Sequence, residues 1–145
     1  MDQKNPSGSH NQIIFVNGTF DLLHVGHLKL LKSAKDLGGF LIVAIDSDDR
    51  VRELKGPQRP INNQQDRECM LRALKYVDNV HVFSTSKGLS DFIYGLSLVG
   101  DVIMVKGSDY KNVVSIGQEH CKEIYYVERT GHSSTKTIEC ISSRG

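Results

Sequence analysis

Residues 13–45 read Ile-Ile-Phe-Val-Asn-Gly-Thr-Phe-Asp-Leu-Leu-His-Val-Gly-His-Leu-Lys-Leu-Leu-Lys-Ser-Ala-Lys-Asp-Leu-Gly-Gly-Phe-Leu-Ile-Val-Ala-Ile, and this stretch decides the fold. It opens and closes on apolar runs rich in β-branched residues, 13–17 and 40–45, each of strand length and without the polar alternation of a half-exposed strand. Between them Leu28, Leu31, Ala34 and Leu37 recur at three-residue steps while Lys29, Lys32, Lys35 and Asp36 fill the remainder, which predicts an amphipathic helix over 24–37. Gly38-Gly39 stops it. A strand, a helix and a second strand, both strands continuously apolar, make a parallel βαβ crossover covered on both faces.

The same alternation continues outward. Further apolar runs stand at 80–83, 102–105 and 124–127. Asn62 or Asn63 can cap a second helix with Met70, Leu71, Leu74 and Val77 turned inward, and a third runs through Phe92, Ile93 and Leu96. A short helix is predicted over 115–120 and a C-terminal one over 134–141. The expected class is α/β, a Rossmann-like doubly wound five-stranded parallel sheet with helices on both faces. Residues 1–12, Met-Asp-Gln-Lys-Asn-Pro-Ser-Gly-Ser-His-Asn-Gln, are polar and read as a disordered tail ahead of one domain over 13–145.

Composition narrows the function. A length of 145 residues suits a single domain, and 39% hydrophobic with 24% charged residues excludes disorder, collagen-like repeats and a disulfide scaffold. Lys and Arg number 18 against 17 Asp and Glu, for a net charge of +1, so no global field recruits nucleic acid or an anionic membrane. The longest apolar run, 40–45, is far short of the ~20 residues of a membrane span. The 3 cysteines, Cys69, Cys121 and Cys140, lack zinc-type spacing and fit a reducing, cytoplasmic setting.

Any anion must therefore be held locally, and doubly wound sheets hold ligands beyond the carboxyl ends of their strands. After the first strand, Gly18 offers a tight turn, and Gly26, on the first helical turn, lets a ligand come close. His24 and His27 share a helix face at the positive end of the dipole. Imidazole donors beside free backbone N–H groups suit phosphate oxygens. The same residues also allow two ordinary structural histidines, or a metal site with Asp21 as third ligand.

Gly18-Thr19-Phe20-Asp21 followed by His24-Val25-Gly26-His27 resembles the signature of the cytidylyltransferase-like nucleotidyltransferases, which join a nucleoside triphosphate to a phosphorylated small molecule and release pyrophosphate. The likeness extends through Lys55-Gly56 with Arg59-Pro60, Asp66-Arg67, Lys106-Gly107-Ser108-Asp109-Tyr110 and Gly131-His132-Ser133-Ser134-Thr135. The Lys55 to Asn62 stretch and the Lys106 to Tyr110 stretch are most similar to the adenylyltransferase domain of ADP-heptose synthases. The Gly18 start and Arg129-Thr130 are equally similar to glycerol-3-phosphate cytidylyltransferases.

The resemblance implies that His24 and His27 donate to the triphosphate, protonation strengthening the contact, and that Lys55 closes over a substrate phosphate from a flexible loop. Gly18, Thr19, Phe20, Gly26, Lys106, Gly107 and Asp109 then border the nucleotide. Ser133, Ser134 and Thr135 form an anion nest for its phosphates, and Asp21, Arg59 and Arg67 face the substrate. It also implies Mg²⁺, held with few protein ligands, a nucleoside triphosphate and a sugar phosphate as partners, and a homodimer. A non-catalytic nucleotide-binding module and a metallohydrolase on His24, His27 and Asp21 are the readings from other classes.

Overall fold

The structure, a computed structural model, describes residues 12–128. Five strands form one sheet: β1 (Gln12–Gly18), β2 (Phe40–Asp46), β3 (Asn79–Phe83), β4 (Asp101–Gly107) and β5 (Glu123–Val127). All pair in parallel, in the order β3-β2-β1-β4-β5. The helices are α1 (Val25–Lys35), α2 (Asp48–Lys55), α3 (Gln64–Arg72) and α4 (Ser86–Ser97), with 3-10 turns at Ser108–Tyr110 and Gln118–His120. The Rossmann-like α/β architecture is the one expected.

Burial on both sheet faces explains the unbroken apolar runs. Ile14, Val16, Leu41, Val43 and Ile45 pack with Leu31 and Ala34 of α1 and Leu71 of α3. The residues between them, Ile13, Phe15, Ile42 and Ala44, pack on the other face with Leu89 and Ile93 of α4. Right-handed crossovers require this division, because the chain steps outward through β2 and β3 and then returns past β1 to β4. The return opens a crevice above the carboxyl ends of β1 and β4.

Several boundaries differ from those expected, each for a physical reason. Gln12, assigned above to the tail, opens β1, opposite Asp101, and its Nε2 donates to Leu37 O at 3.0 Å. Helix α1 ends at Lys35, two residues early, and Gly38 takes a left-handed φ of 95° on the way to β2. Helix α2 has no apolar periodicity in the sequence, because Val51 is its only buried residue. Its ends are nonetheless well marked: Ser47 Oγ accepts from Arg50 N, Asp48 and Asp49 stand in the first turn, and Arg52 and Lys55 in the last. In α3, capped by Asn63, Met70 is exposed, and the inward residues are Arg67 and Leu71. Of the helix predicted over 115–120, only the turn Gln118–His120 forms. The helix predicted over 134–141 lies outside the described residues.

Two glycines give opposite expectations. Gly39 abuts β1, and a β-carbon there would run into the Gln12 carbonyl. Gly95, within α4, has nothing within 4 Å of that position. Urea denaturation should show Gly39→Ala losing about 1–3 kcal/mol, as overpacked sites do, and Gly95→Ala gaining about 0.5–1 kcal/mol, as helix interiors do.

Candidate functional site

The carboxyl edge of the sheet gathers most of the candidate residues. His24 is the N-cap of α1, with extended φ and ψ of −145° and 177°. Its Nδ1 accepts from Gly26 N at 3.1 Å, and its own N–H donates to His27 Nδ1 at 3.2 Å. This is a capping box built from two histidines, where Ser or Thr with Glu or Gln is usual. The imidazoles stack at 3.8 Å with 19° between planes, and Phe20 packs against His27 at 4.9 Å. With both Nδ1 atoms accepting, the neutral tautomer carrying its proton on Nε2 is the one that fits. The pair thus sets two stacked imidazoles beside the amides of the helix start, with His24 Nε2 buried.

Gly18 does not make the turn expected of it. It ends β1 without a left-handed φ, and a β-carbon there would stand 3.1 Å from the Phe20 ring. The left-handed residue is Phe20, at φ 52°. Gly18 thus leaves room for the ring that packs on His27.

Asp21 and Arg67, expected to face substrate, hold the site together instead. The Asp21 carboxylate is fully buried, accepting from Ile61 N and Asn62 N, each at 2.8 Å, while Asn62 Nδ2 donates back to Asp21 O at 2.8 Å. The loop after α2 is thereby laced to the loop after β1. Arg67 is also fully buried; its partner is Asp48 at 2.8 Å, not the adjacent Asp66. Its Nε donates to Asn62 O at 2.9 Å and its Nη1 to Thr19 O and Asp46 O at 3.0 and 2.8 Å. A guanidinium so occupied has no face for a ligand.

What the lacing presents is cationic. Arg59 lies along Asp21 at 3.6 Å, beyond hydrogen-bond reach, and its buried Nε and Nη2 have no acceptor. Lys55 is the last residue of α2 rather than part of a flexible loop, and Gly56 turns the chain there with φ 105°. Burial, then the neighbouring Arg59, hold the Lys55 ammonium below the usual lysine range. Across the crevice, Lys106 Nζ donates to Asn17 Oδ1 at 2.8 Å and lies 5.3 Å from the Tyr110 ring. Asp109 is exposed in the turn that follows. Ser133, Ser134, Thr135 and Arg129 lie outside the described residues.

Asn17, Asp46 and Asp48 were missed, although one signal was present for the first two. Each is the polar residue ending an apolar run at the ligand edge. The Asp46 carboxylate accepts from Thr19 Oγ1 at 3.1 Å and Arg50 Nε at 2.8 Å. Among the described residues no three His, Cys, Asp or Glu side chains form a metal site, and Asp21 is spent on backbone amides, so the metallohydrolase arrangement is not met. Cys69 and Cys121 are free thiols, and burial pushes that of Cys121 up to about 11. No described helix is long and apolar enough to cross a membrane.

A parallel sheet of order 3-2-1-4-5, with its two faces covered by helices, defines a Rossmann-like α/β protein. Within that class the chain belongs to the cytidylyltransferase-like family, which it matches over residues 15–139. It is 40% identical over 132 residues to the bifunctional protein HldE of Helicobacter hepaticus, covering 90% of this chain and 27% of that protein. It is 42% identical over 134 residues to HldE of Nitratiruptor, covering 91% and 28%. The chain thus spans under a third of the length of these curated relatives. The crystal structure of a lipopolysaccharide core biosynthesis protein from Thermoplasma volcanium superposes with a TM-score of 0.65 at 24% identity, covering 81% of this chain and 97% of that one, a likeness of fold.

Removing Arg67 tests the lacing. Arg67→Met leaves the Asp48 carboxylate and three carbonyls without their donor, and should cost about 3–5 kcal/mol in chemical denaturation. A loss below about 1 kcal/mol, the range of an exposed ion pair, would contradict it.

Proposed function

We propose that the chain is a nucleotidyltransferase that moves the adenylyl group of ATP to heptose 1-phosphate and releases pyrophosphate. The observation that carries the reading is the stacked histidine pair at the head of α1, whose Nδ1 atoms are bonded into the first helical turn. The HldE relatives and the Lys55 to Asn62 resemblance support the choice of sugar phosphate.

The chemistry asks for positioning and charge stabilisation rather than a protein nucleophile. An oxygen of the acceptor phosphate forms a bond to the α-phosphorus, while the bond from that phosphorus to the oxygen bridging to the β-phosphate breaks. The negative charge leaves on pyrophosphate. His24 and His27 donate to the triphosphate oxygens as charge builds there. Lys55 and Arg59 hold the acceptor phosphate. Gly18, Thr19, Phe20, Gly26, Gly107 and Asp109 border the nucleotide, and Ser133, Ser134 and Thr135 receive its outer phosphates. Gln58, exposed in the 56–63 loop, meets sugar hydroxyls, while the Asn62 side chain donates to Asp21 O. Mg²⁺ belongs to the reading as a companion of the triphosphate, with phosphate and water ligands. The described carboxylates form no cage for it, and no step runs through it.

Pyrophosphate release from ATP or CTP with each acceptor in turn tests the reading. ATP with heptose 1-phosphate should give the highest kcat/KM. A tenfold preference for CTP with glycerol 3-phosphate, ~1.4 kcal/mol in the transition state, would reverse the substrate pair and keep the reaction class. No release with any pair would leave a non-catalytic binding module. Steady-state kinetics on His27→Ala should show kcat falling about 10²–10³-fold, as loss of one transition-state donor does. The lost cap itself should cost only about 1 kcal/mol of stability.

A further inference from the structure

Phe20 is the only non-glycine with a positive φ among the described residues, at 52°. L side chains rarely take that conformation, so it persists only where the surroundings hold it. The ring is what the position needs. It is buried and lies 4.9 Å from the His27 imidazole at 48°, closing a stack that continues to His24 at 3.8 Å. A glycine would adopt the backbone freely, but it would leave His27 without that wall.

The clamps that hold Phe20 stand on either side of it. Its φ is set by rotation of the peptide that carries the Thr19 carbonyl. Arg67 Nη1 donates to that carbonyl at 3.0 Å and to Asp46 O at 2.8 Å. A peptide held by one hydrogen bond can still pivot about it, and a second bond removes the pivot. Asp46 supplies the second: Thr19 Oγ1 donates to Asp46 Oδ2 at 3.1 Å. Gly18 pairs with Ile45 in the sheet, so Thr19 and Asp46 leave their strands side by side. The Asp46 side chain is itself fixed, being buried and accepting from Arg50 Nε at 2.8 Å through its other oxygen. Beyond Phe20, the Asp21 carboxylate is tied to Ile61 N and Asn62 N.

We propose that Asp46 is a positioning residue for the histidine pair: by holding Thr19 it keeps the Phe20 ring against His27. Both of its carboxylate oxygens are bonded within the protein, so it acts through Thr19 rather than on a ligand. The importance of His27 rests on the nucleotidyltransferase reading, whereas the link from Asp46 to His27 is measurable without turnover.

The test uses the full chain with Asp46→Ala, Thr19→Val, Thr19→Ser and the Asp46→Ala/Thr19→Val double variant. Side-chain NMR follows the ring protons of His27, which lie in the ring current of Phe20, with His81, stacked on Phe92 of α4, as the internal reference for an intact fold. Asp46→Ala and Thr19→Val should each move the His27 signals and leave those of His81 in place. Thr19→Ser, which keeps the hydroxyl, should restore the His27 signals. In steady-state kinetics Asp46→Ala should lower kcat about 10–10²-fold with KM little changed, as misplacement of a reacting group does. The same substitution should have no further effect in the Thr19→Val background, because two residues on one route are not additive. Unchanged His27 signals in a folded Thr19→Val variant overturn the proposal even if Asp46→Ala fails to fold. Full additivity of the two kcat losses overturns it as well. A wild-type chain that turns over no substrate pair overturns the functional reading alone, and the NMR arm still decides whether Asp46 positions His27.

Discussion

The buried guanidinium of Arg67 is the constraint on which the ligand edge depends. Parallel strands end in carbonyls that no neighbouring strand satisfies, and the loops leaving them diverge. Arg67 collects Thr19 O beyond β1, Asp46 O at the end of β2 and Asn62 O in the loop ahead of α3, and balances its charge with Asp48 at the start of α2. Taking a cation out of water is costly, and Arg67 recovers that cost only because every contact has hydrogen-bonding geometry. Two further links stiffen the same region: the Asp21 bonds to Ile61 and Asn62, and Gln64 Oε1 accepting from Asp48 N at 2.8 Å. The end of α2 that carries Lys55 and the loop that carries Arg59 are thus anchored to the same scaffold as the histidine pair.

This scaffold separates charge that supports from charge that is presented. Asp21 and Asp46 are buried carboxylates whose oxygens are taken by backbone amides, Thr19 and Arg50. Arg67 is spent as well. Among the described residues Lys55 and Lys106 make no ion pair, and Arg59 meets Asp21 only at 3.6 Å. The balance at the edge is therefore positive although the chain carries only +1 overall. A local field of this kind attracts a phosphate without recruiting every polyanion the protein meets.

Much of this was legible in the sequence, and the exceptions share a cause. Strands buried on both faces leave unbroken apolar runs, so all five were found with their ends displaced by a residue or so. Helix α2 turns one residue, Val51, into the core, so it has no periodicity to detect, and only its capping and charge pattern mark it. Of the residues expected to turn inward around α3, Leu71 and Val77 lie in the core and Leu74 packs against it, but Met70 points outward and Arg67 takes an inward place. Hydrophobicity is a poor guide where a charged residue is buried to satisfy loop carbonyls. The same blindness assigned Asp21 and Arg67 to substrate: the residue types were right for a phosphate site, but apart from the Arg67 bond to Asn62 O their side-chain partners lie 19 to 48 positions away.

The histidine pair shows why residue identity and residue role part company at such a site. Sequence alone makes His24 and His27 two donors on one helix face. In the fold each first serves as an acceptor, one from Gly26 N and one from the other's backbone N–H, and the ligand-facing nitrogen becomes a donor as a result. A serine in the place of His24 could satisfy the helix start equally well, but its single oxygen would then face the backbone with little left to offer a ligand. Imidazole separates the two tasks by the width of a ring. Capping the helix therefore also fixes the orientation of both rings, so helix formation itself sets the geometry at the ligand edge.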